Sequence, residues 1–444
     1  MRTDKFQLTA VVAVATLLTA CTANMASDRI AGDSEYGTRP QLVAPEQALL
    51  PTINPRKAVG WSDGIAPTPA PGLVVNAFAS GLDHPRWLLT LPNGDVLVAE
   101  SNRPDHSGGF SGIKAWIADS IMTYAGAGGA SADRITLLRD DNGDGIAEQR
   151  FTLLDNLHSP FGMALVGEHL YVANTDRLER YRFTPGMTSL KTPAEIVAPL
   201  PAGALNHHWT KGLLADEQGE TLYVSVGSNS NIAENGMELE HHRAAILAID
   251  AESGDVEVYA DGLRNPVGMD WHPVTGELWT VVNERDELGD QLVPDYMTSV
   301  KAGDFFGWPW FYWGGELDPR LSPPESVQPG RTPNYALGAH TASLGLAFYQ
   351  HDAIAAFNNC ALIGQHGSWN RSQPAGYKVV AVCFDAGMAV GKPIDVLTGF
   401  LNDRGQARGR PAGVAVDSRG GILVADDAGN TIWRVSAASH TVSE

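Results

Sequence analysis

Histidine and basic side chains recur just before a short repeated step, in which glycine or tryptophan precedes an aliphatic residue. The steps are Trp87-Leu88, Gly162-Met163, Gly212-Leu213, Gly268-Met269, Gly345-Leu346 and Gly413-Val414. The polar side chains before them are His84, Arg86, His158, His207, His208, Lys211, Arg264, Asn265, His340, Arg408 and Arg410. Histidine exchanges protons near neutral pH, and arginine binds a carboxylate through two N–H groups. The set therefore predicts a site for an acidic ligand.

These basic residues stand against an acidic background. The chain of 444 residues contains 51 acidic and 31 basic residues, with a formal net charge of −20. Such a surface repels nucleic acid and anionic lipid, so neither is expected as a partner. The basic set therefore indicates one localised cationic site on an acidic protein.

The elements that must position these residues form a weak internal repeat. Copies begin near Gly81, Asn156, His207, Gly262, His340 and Gly409. A copy contains a turn, the small-aliphatic step, a polar turn and an alternating strand such as DVLVAE or HLYVAN. Six copies of this kind predict an all-β fold, a six-bladed β-propeller, in which the basic residues converge at the mouth of the central channel. Hairpins of a sandwich or of two barrels are the alternative.

The two ends of the repeat region are expected to meet. The runs LVVNAFASGL (73–82) and TIWRV (431–435) are both predicted strands. If they share one blade, the ring closes and no open sheet edge remains. The domain prediction is therefore one propeller over residues 71–440.

The N-terminus predicts export. Arg2 and Lys5 precede an apolar run, 8–18, that is too short to span a bilayer and is typical of a signal peptide. The run ends in LTAC, which resembles a bacterial lipobox and predicts a lipoprotein signal over 1–21 with lipidation of Cys21. An ordinary secretory signal with an incidental cysteine is the alternative.

The sequence that follows the lipobox predicts location and spacing. With threonine rather than aspartate at position 22, the resemblance to bacterial lipoproteins implies the outer membrane, with the protein on its periplasmic side and touching the membrane through the lipid anchor only. Residues 22–70, rich in Ala, Pro, Ser and Asp, predict a flexible tether.

Two further cysteines lie on neighbouring apolar runs. Cys360 and Cys383 are about equally far from a turn-like segment near Arg371, so a hairpin would place them opposite each other. In an oxidising compartment this favours a disulfide, and two free buried thiols are the alternative.

Several motifs resemble the soluble sugar dehydrogenases that use pyrroloquinoline quinone (PQQ), and most closely the L-sorbosone dehydrogenase branch. They are HHWTKGL (207–213), GLRNPVGM (262–269), the NERD-containing stretch 282–314, GSWNRSQPAGYKVV (367–380) and RGRPAGV (408–414). The resemblance extends from about residue 75 to 437. It implies PQQ-dependent oxidation of a sugar hemiacetal or hydrated aldehyde (an aldose or sorbosone) to a lactone or acid. It also implies electron transfer to an envelope quinone or cytochrome.

The resemblance also implies residue roles. His208 matches the general base, with His207 as the neighbouring alternative and a purely structural place on the channel rim as another. The cofactor-binding residues it implies are Lys211, Arg264, Asn265, Arg408 and Arg410. His366 or Arg371 matches a further basic residue, and Trp369 or Tyr335 could supply the aromatic ring that stacks on the cofactor.

A calcium ion is the second cofactor that the resemblance implies. The matching loop offers Glu284, Arg285, Asp286 and Asp290, through side chains or backbone carbonyls, because Ca²⁺ prefers oxygen ligands. A solvated loop with internal salt bridges is the alternative. Another acidic segment, 140–145, begins like a calcium loop but is flanked by predicted strands, which favours a hairpin turn.

Two other functions remain open on the sequence alone. A calcium-dependent lactonase would share the propeller but would need a cage of carboxylates, where this sequence places arginines. A non-enzymatic lipoprotein could use the propeller to bind a ligand, since fold alone does not fix function.

Overall fold

The computed structural model describes residues 34–48, 52–104, 120 and 122–438. The predicted signal peptide and the lipidation site at Cys21 lie outside the described residues. Nearly all regular structure is β-sheet, and six sheets of four or five strands are arranged as the blades of a propeller. The predicted fold class is therefore confirmed. No helix among the described residues is long and apolar enough to cross a bilayer.

The strands follow the repeats in chain order. Strands before the first repeat are β1 (Tyr36–Gly37), β2 (Thr68–Pro69) and β3 (Leu73–Ser80). Blade one contains β4 (Pro85–Thr90), β5 (Val96–Glu100), β6 (Arg134–Arg139) and β7 (Gln149–Leu154). Blade two contains β8 (Met163–Val166), β9 (His169–Ala173), β10 (Arg177–Arg182) and β11 (Glu195–Pro199). Blade three contains β12 (Lys211–Ala215), β13 (Thr221–Val226), β14 (Ala245–Asp250) and β15 (Val256–Asp261).

The second half has longer insertions. Blade four begins with β16 (Asn265–Trp271), β17 (Leu278–Asn283) and β18 (Pro294–Val300). An insertion holds β19 (Asp304–Phe305), which joins blade three, and the hairpin β20 (Phe311–Tyr312) with β21 (Glu316–Leu317). Then β22 (Tyr335–Ala339) completes blade four. Blade five contains β23 (Ser343–Tyr349), β24 (Cys360–Gln365), β25 (Lys378–Asp385) and β26 (Met388–Thr398). Blade six contains β27 (Pro411–Val416), β28 (Ile422–Asp426) and β29 (Thr431–Ala437). Two 3-10 helices are described, Met237–Glu240 and Asp352–Phe357.

The hydrophobic core lies between adjacent blades. Tyr171 and Leu178 of blade two pack in one cluster with Leu213 and Leu247 of blade three, for example. Inner strands are consequently covered on both faces, and all five residues of β5 and of β28 are buried. Burial of both faces, rather than one, explains why these strands carry long apolar runs.

The glycines of the repeated step lie where neighbouring innermost strands approach most closely. A Cβ on Gly212 would lie 2.3 Å from the carbonyl oxygen of Val267, and one on Gly345 would lie 2.4 Å from that of Ala412. Each glycine thus faces the step of the next blade around the channel. The repeated step in the sequence therefore reflects the close packing of the innermost strands around the channel, which we call the inner ring.

The ring closes through its two ends. Strand β29 pairs with β3 in an antiparallel ladder in which Val435 lies opposite Val75 and Ile432 opposite Ala79. N-terminal and C-terminal strands therefore share blade six, as predicted, and the pairing covers the edge of β29 that would otherwise be open.

The segment before β3 lies against the propeller. Strand β1 pairs with β22 of blade four, and β2 pairs with β26 of blade five. Between them, Val59 N–H donates to the carbonyl of Ala407 at 2.8 Å. The described part of the segment predicted as a tether is thus packed on the domain, and the boundaries themselves stay predictions.

The two cysteines outside the signal segment lie opposite each other in blade five. Cys360 pairs with Cys383 in the β24–β25 ladder, and their sulfur atoms are 1.99 Å apart, a disulfide. The hairpin that the sequence placed near Arg371 is therefore the element that brings the two thiols together.

Candidate active site

One end of the propeller gathers the residues that could do chemistry. First and second strands of a blade are antiparallel, so the residues before one and after the other lie at the same end. We call this end the mouth. The residues predicted from the sequence that lie there are His84, Arg86, His158, His207, His208, Lys211, Arg264, Asn265, His340, His366, Trp369, Arg371, Arg408 and Arg410.

His208 precedes β12 and is held as a neutral imidazole. Its Nδ1 lies 2.7 Å from the carbonyl oxygen of Ser228, which can only accept, so Nδ1 carries the proton and Nε2 keeps its lone pair. Burial, together with the nearby Arg264 cation, lowers the pKa of His208 well below its usual value. Among the described residues Nε2 has no hydrogen-bond partner, so it can accept a proton from a ligand. The half-buried His207 also has a pKa lowered by burial.

Lys211 lies at the start of β12, three residues after His208. It is fully buried, and its Nζ donates to the carbonyl of Trp209 at 3.2 Å. Burial, and then the Arg243 cation, lowers the pKa of Lys211 well below its usual value. Nζ can still donate hydrogen bonds in this place, while burial disfavours its charged form.

Arg264 and Asn265 begin blade four. The Arg264 guanidinium donates to the backbone carbonyl of Glu284 at 2.7 Å and lies 3.1 Å from an Asp286 carboxylate oxygen. Asn231 Oδ1 accepts from the same guanidinium at 3.0 Å. The cation is therefore fixed on three sides within the mouth.

Asp286 is the carboxylate of this half of the mouth. Asn370 Nδ2 donates to it at 2.7 Å, and His340 Nδ1 lies 3.5 Å away. Burial would raise the pKa of Asp286, but the Arg264 cation and these two groups outweigh burial and lower the pKa to about 2. Burial would likewise lower the pKa of His340, yet Asp286 and the Gly289 carbonyl raise it above its usual value.

Asp427 is the carboxylate of the opposite half. It follows β28, is almost fully buried, and accepts hydrogen bonds from Arg86 and from His366 Nε2, the latter at 2.8 Å. His84 Nε2 lies 3.6 Å away. Burial would raise the pKa of Asp427, but the three basic groups hold it well below its usual value. Burial and the Arg410 cation lower the pKa of His366 to about 4, so His366 is neutral at neutral pH.

Arg410 and Arg408 differ in their contacts. Arg410 is buried, donates to the carbonyls of His366 and Gly367 at 3.0 and 2.7 Å, and lies 5.3 Å from the Tyr377 ring centroid. Arg408 is half-buried and approaches the Gly399 carbonyl at 3.5 Å. Of the matched pair, Arg410 is therefore the one locked into the mouth.

The loop after β24 holds His366, Trp369 and Arg371. Their contacts decide between His366 and Arg371 as the further basic residue, and between Trp369 and Tyr335 as the stacking aromatic ring. Arg371 pairs with the buried Glu35 at 3.0 Å, so it is committed to the N-terminal segment, whereas His366 lies within the mouth. Trp369 is 45% exposed at the mouth, so its ring is open to a ligand. Tyr335 is fully buried in the outer strand β22, with its hydroxyl on the Gly391 carbonyl, and cannot stack on a ligand there.

The four residues expected to hold calcium do not converge. Arg285 is fully buried and donates to Glu284 at 3.0 Å and to carbonyls of the β20 region. Asp290 caps the backbone N–H of Ser372. The backbone carbonyl of Glu284 accepts from Arg264, and that of Asp286 accepts from Arg320. This arrangement does not fit a calcium ion, because the oxygen atoms already face cations and N–H donors.

Another acidic group lies at the far end of the propeller. Within the described residues, Asp140, Asp144 and Glu148 form a group that is close enough to hold a metal ion. They lie in the turn between the antiparallel strands β6 and β7, as the hairpin prediction for 140–145 expects. Asp140 already accepts from the N–H groups of Gly143 and Gly145.

The mouth fits an acidic organic cofactor. Asn265 Oδ1 and Arg86 Nε are buried and have no partner among the described residues. A buried polar atom without a partner costs about 1–3 kcal/mol, so both atoms indicate a ligand that completes their hydrogen bonds. Gly227 lets Asn265 and His208 pack closely against the backbone, because a Cβ there would lie 2.2 Å from Asn265 Oδ1 and 2.4 Å from His208 Cβ.

Four residues of the site were not predicted from the sequence: Ser228, Asn231, Asn370 and Asp427. Asp427 comes directly after the second strand of its blade, as His366 does, and Ser228 comes one residue later, after Gly227. Because second strands end at the mouth, the polar residue that follows each second strand could be predicted from the repeat in the same way as the residue that precedes each first strand. Asn231 and Asn370 lie in longer loops, where no such register applies.

Comparison with known families and proteins shows what this chain is similar to. A family model described as TrAA12-like matches residues 129–300 and 327–438, more than half of the chain. An uncharacterized protein of Borreliella burgdorferi is 29% identical over 297 residues, which are 64% of this chain and 77% of that protein.

Solved structures share the fold. The calcium structure of the Trichoderma reesei carbohydrate-active enzyme of family AA12 has a TM-score of 0.67 at 18% identity, covering 84% of this chain and 97% of that one. The holo form of the PQQ domain of pyranose dehydrogenase from Coprinopsis cinerea has a TM-score of 0.64 at 19% identity, covering 86% and 98%. At these identities the likeness establishes the shared propeller.

Proposed function

The chain belongs to the TrAA12-like family, and on this premise we propose that it is a PQQ-dependent oxidoreductase acting on sugars. Its substrate would be the hemiacetal or hydrated aldehyde of an aldose or of sorbosone, and its product a lactone or acid. Support comes from the motifs that resemble PQQ-dependent dehydrogenases and from the fold shared with the PQQ domain of a pyranose dehydrogenase. The L-sorbosone branch stays a prediction.

The observation that carries the proposal is the state of His208. A proton-accepting Nε2, fixed by the Nδ1 contact with Ser228, lies in a mouth that also holds Arg86, Arg264 and Arg410. A lactonase would need a carboxylate cage for its metal, and the carboxylates here, Asp286 and Asp427, are paired with basic groups. The combination of a neutral base and fixed cations suits oxidation beside an acidic cofactor.

The residues of this chain have distinct roles in the proposed reaction. PQQ, when bound, supplies a quinone that takes up the hydride, and hence both electrons, from the substrate carbon. His208 Nε2 accepts the proton of the substrate hydroxyl, so hydride and proton leave the substrate together as two electrons and two hydrogens. The low pKa of the unliganded histidine rises when anionic carboxylates bind nearby, since they favour the charged form.

The residues that would hold the cofactor are those with fixed cations or open hydrogen bonds. Arg264 and Asn265 would bind it on one side, and Arg410 with His366 on the other, while Lys211 would donate a further hydrogen bond. Trp369 offers an exposed ring for stacking. Arg408 lies farther out, where it would meet a carboxylate at the rim.

The location and electron acceptor belong to the same proposal. We expect export through the signal over 1–21, lipid anchoring at Cys21 on the periplasmic side of the outer membrane, and electron transfer to an envelope quinone or cytochrome. The signal and Cys21 lie outside the described residues, and the electron acceptor is implied by the resemblance to PQQ-dependent dehydrogenases.

The test is titration of the purified protein with PQQ, followed by absorbance, and then reduction of a redox dye with a panel of aldoses and sorbosone. Saturable binding with sugar-dependent dye reduction is the expected result, and the sugar panel identifies the substrate class. The titration is run with and without Ca²⁺. Absence of binding at micromolar PQQ in both conditions would overturn the proposal.

A further inference from the structure

A buried carboxylate in the connection between β13 and β14 holds the loop that carries the partner of His208. Glu240 ends the 3-10 helix Met237–Glu240 and is only 5% exposed. One of its oxygens accepts from the backbone N–H of Asn229 at 2.7 Å, and the other accepts from the hydroxyl of Ser230. Asn229 Nδ2 also donates to the carbonyl of Leu239 at 3.0 Å. The loop 228–231 is thus fastened to the helix by its middle residues.

The first end of this loop reaches the histidine. Ser228 Oγ donates to the carbonyl of Ser230 at 2.6 Å, which ties the orientation of residue 228 to the residue that Glu240 holds. The carbonyl of Ser228 then accepts from His208 Nδ1 at 2.7 Å. Since this contact places the proton on Nδ1, the position of the loop determines that Nε2 is the basic nitrogen.

The second end of the loop reaches the principal cation. Asn231 Oδ1 accepts from the Arg264 guanidinium at 3.0 Å and from the backbone N–H of Asp286 at 2.9 Å. The carbonyl of Asn231 accepts from Trp308 Nε1 at 3.0 Å. A shift of residues 228–231 would therefore move the acceptors of His208 and of Arg264 together.

We propose that Glu240 is a positioning residue that sets both the tautomer of His208 and the orientation of Arg264 through the loop 228–231. Only a carboxylate can do this fully, because each oxygen accepts from a different donor of the loop. A glutamine amide would turn its NH₂ group toward one of these donors and break that hydrogen bond. The inference rests on the proposed function for its effect on turnover, but its effect on His208 is independent of any cofactor.

A purely structural role makes a different prediction. Loss of one buried hydrogen bond would lower stability and leave His208 unchanged. A positioning role also changes the protonated nitrogen of His208. It lowers kcat more than it changes KM, because a displaced base weakens the transition state and not only binding.

The experiment compares Glu240→Gln with Glu238→Gln, an exposed glutamate on the same 3-10 helix. Protein carrying ¹⁵N-labelled histidine is studied without cofactor, and the spectrum of a His208→Gln variant identifies the His208 signals among those of the 13 histidines. We expect the wild type and Glu238→Gln to show protonated Nδ1. We expect Glu240→Gln to show a mixture of tautomers, and a kcat lower by about 10- to 100-fold in the loaded enzyme.

The outcomes separate this inference from the proposed function. A folded Glu240→Gln protein with the wild-type tautomer overturns the positioning role, whatever its activity. If Glu240→Gln does not fold, Ser230→Ala, which removes one of the two hydrogen bonds, takes its place, and an unchanged tautomer there overturns the role equally. If the wild type does not bind PQQ, the proposed function fails while the tautomer measurement still decides the role of Glu240.

Discussion

At the scale of single residues, the mouth is balanced rather than simply cationic. Two of its carboxylates compensate arginines: the half-buried Asp286 pairs with Arg264, and the buried Asp427 with Arg86. Burial also lowers the pKa of His208, of Lys211 and of His366, which disfavours their charged forms, whereas Arg410 adds a further fixed cation. A bound polyanion would therefore meet a small number of arginine cations, which the protein already holds in fixed positions.

Replacing His208 tests the proton acceptor. In His208→Gln, the amide can keep a hydrogen bond to the Ser228 carbonyl but cannot accept the substrate proton. We expect kcat to fall by about 10²- to 10⁴-fold, the usual contribution of a general base. PQQ affinity, measured by titration, should change little. The matched control is His207→Gln, and an equal loss of kcat in that variant would move the base to His207.

Replacing Asp427 tests the charge balance. Asp427→Asn leaves Arg86 buried without its counter-charge, and we expect the free energy of unfolding at neutral pH to fall by about 3–5 kcal/mol. The folded pKa of Asp427 is lowered, so the aspartate stabilises the fold above the pKa of the unfolded state, and this stabilisation disappears as the pH falls through the folded pKa. Urea unfolding of both proteins at several pH values should therefore show a difference that shrinks in acid. A difference that is constant with pH would contradict this assignment.

The repeat predicted the residues of the mouth that precede the innermost strands, and the family resemblance added His366 and Trp369. Arg264 and Arg410 precede innermost strands in register, so their common end was readable. The roles of Arg285 and Tyr335 were not, because each is decided by contacts with distant residues: Arg285 with Asp318 and Tyr335 with the Gly391 carbonyl. Both side chains are buried and have structural roles, and the local sequence pattern does not show this burial.

At the scale of elements, the repeated step is a packing device as well as a marker of register. Its glycines permit the innermost strands of neighbouring blades to touch at backbone distance, with Gly345 against Ala412 as one example. In blade one tryptophan takes this place, and its ring packs 4.6 Å from that of Phe161. The sequence revealed the periodicity of the step, whereas its cause, contact between neighbouring blades, became visible only in three dimensions.

Adding one methyl group to the inner ring tests this interpretation. In Gly345→Ala the Cβ would lie 2.4 Å from the Ala412 carbonyl oxygen and 2.8 Å from the Val414 nitrogen, both backbone atoms that cannot move aside cheaply. We expect destabilisation of about 1–3 kcal/mol or more by urea unfolding. Gly315→Ala is the control, because its Cβ would meet only Pro329 at 3.9 Å. Equal stability of the two variants would show that the inner ring yields more easily than its geometry indicates.

At the scale of the whole molecule, residues distant in sequence complete both the ring and the site. Strand β3 closes blade six, while the segment before it crosses the mouth face. Asn54 N–H donates to the Trp369 carbonyl at 2.7 Å, and Glu35 pairs with Arg371. Composition suggested a linker for this segment, because contacts across more than 300 residues leave no period in the sequence.

Two truncated chains separate these roles of the N-terminal region. A chain that begins at Gly72 keeps β3 but lacks Glu35, Asn54 and the Trp61 hydrogen bond to the buried Asp426. We expect it to fold cooperatively, since blade six stays closed, and to bind PQQ more weakly because the loop 366–377 has lost its supports.

A chain that begins at Leu82 also lacks β3, which leaves β29 as an open edge, and should lose cooperative unfolding and aggregate. Thermal unfolding followed by circular dichroism distinguishes the two, with the full chain as reference. A soluble, cooperative protein without β3 would show that ring closure is dispensable. An unchanged PQQ affinity in the chain from Gly72 would show that the N-terminal segment covers the mouth without shaping it.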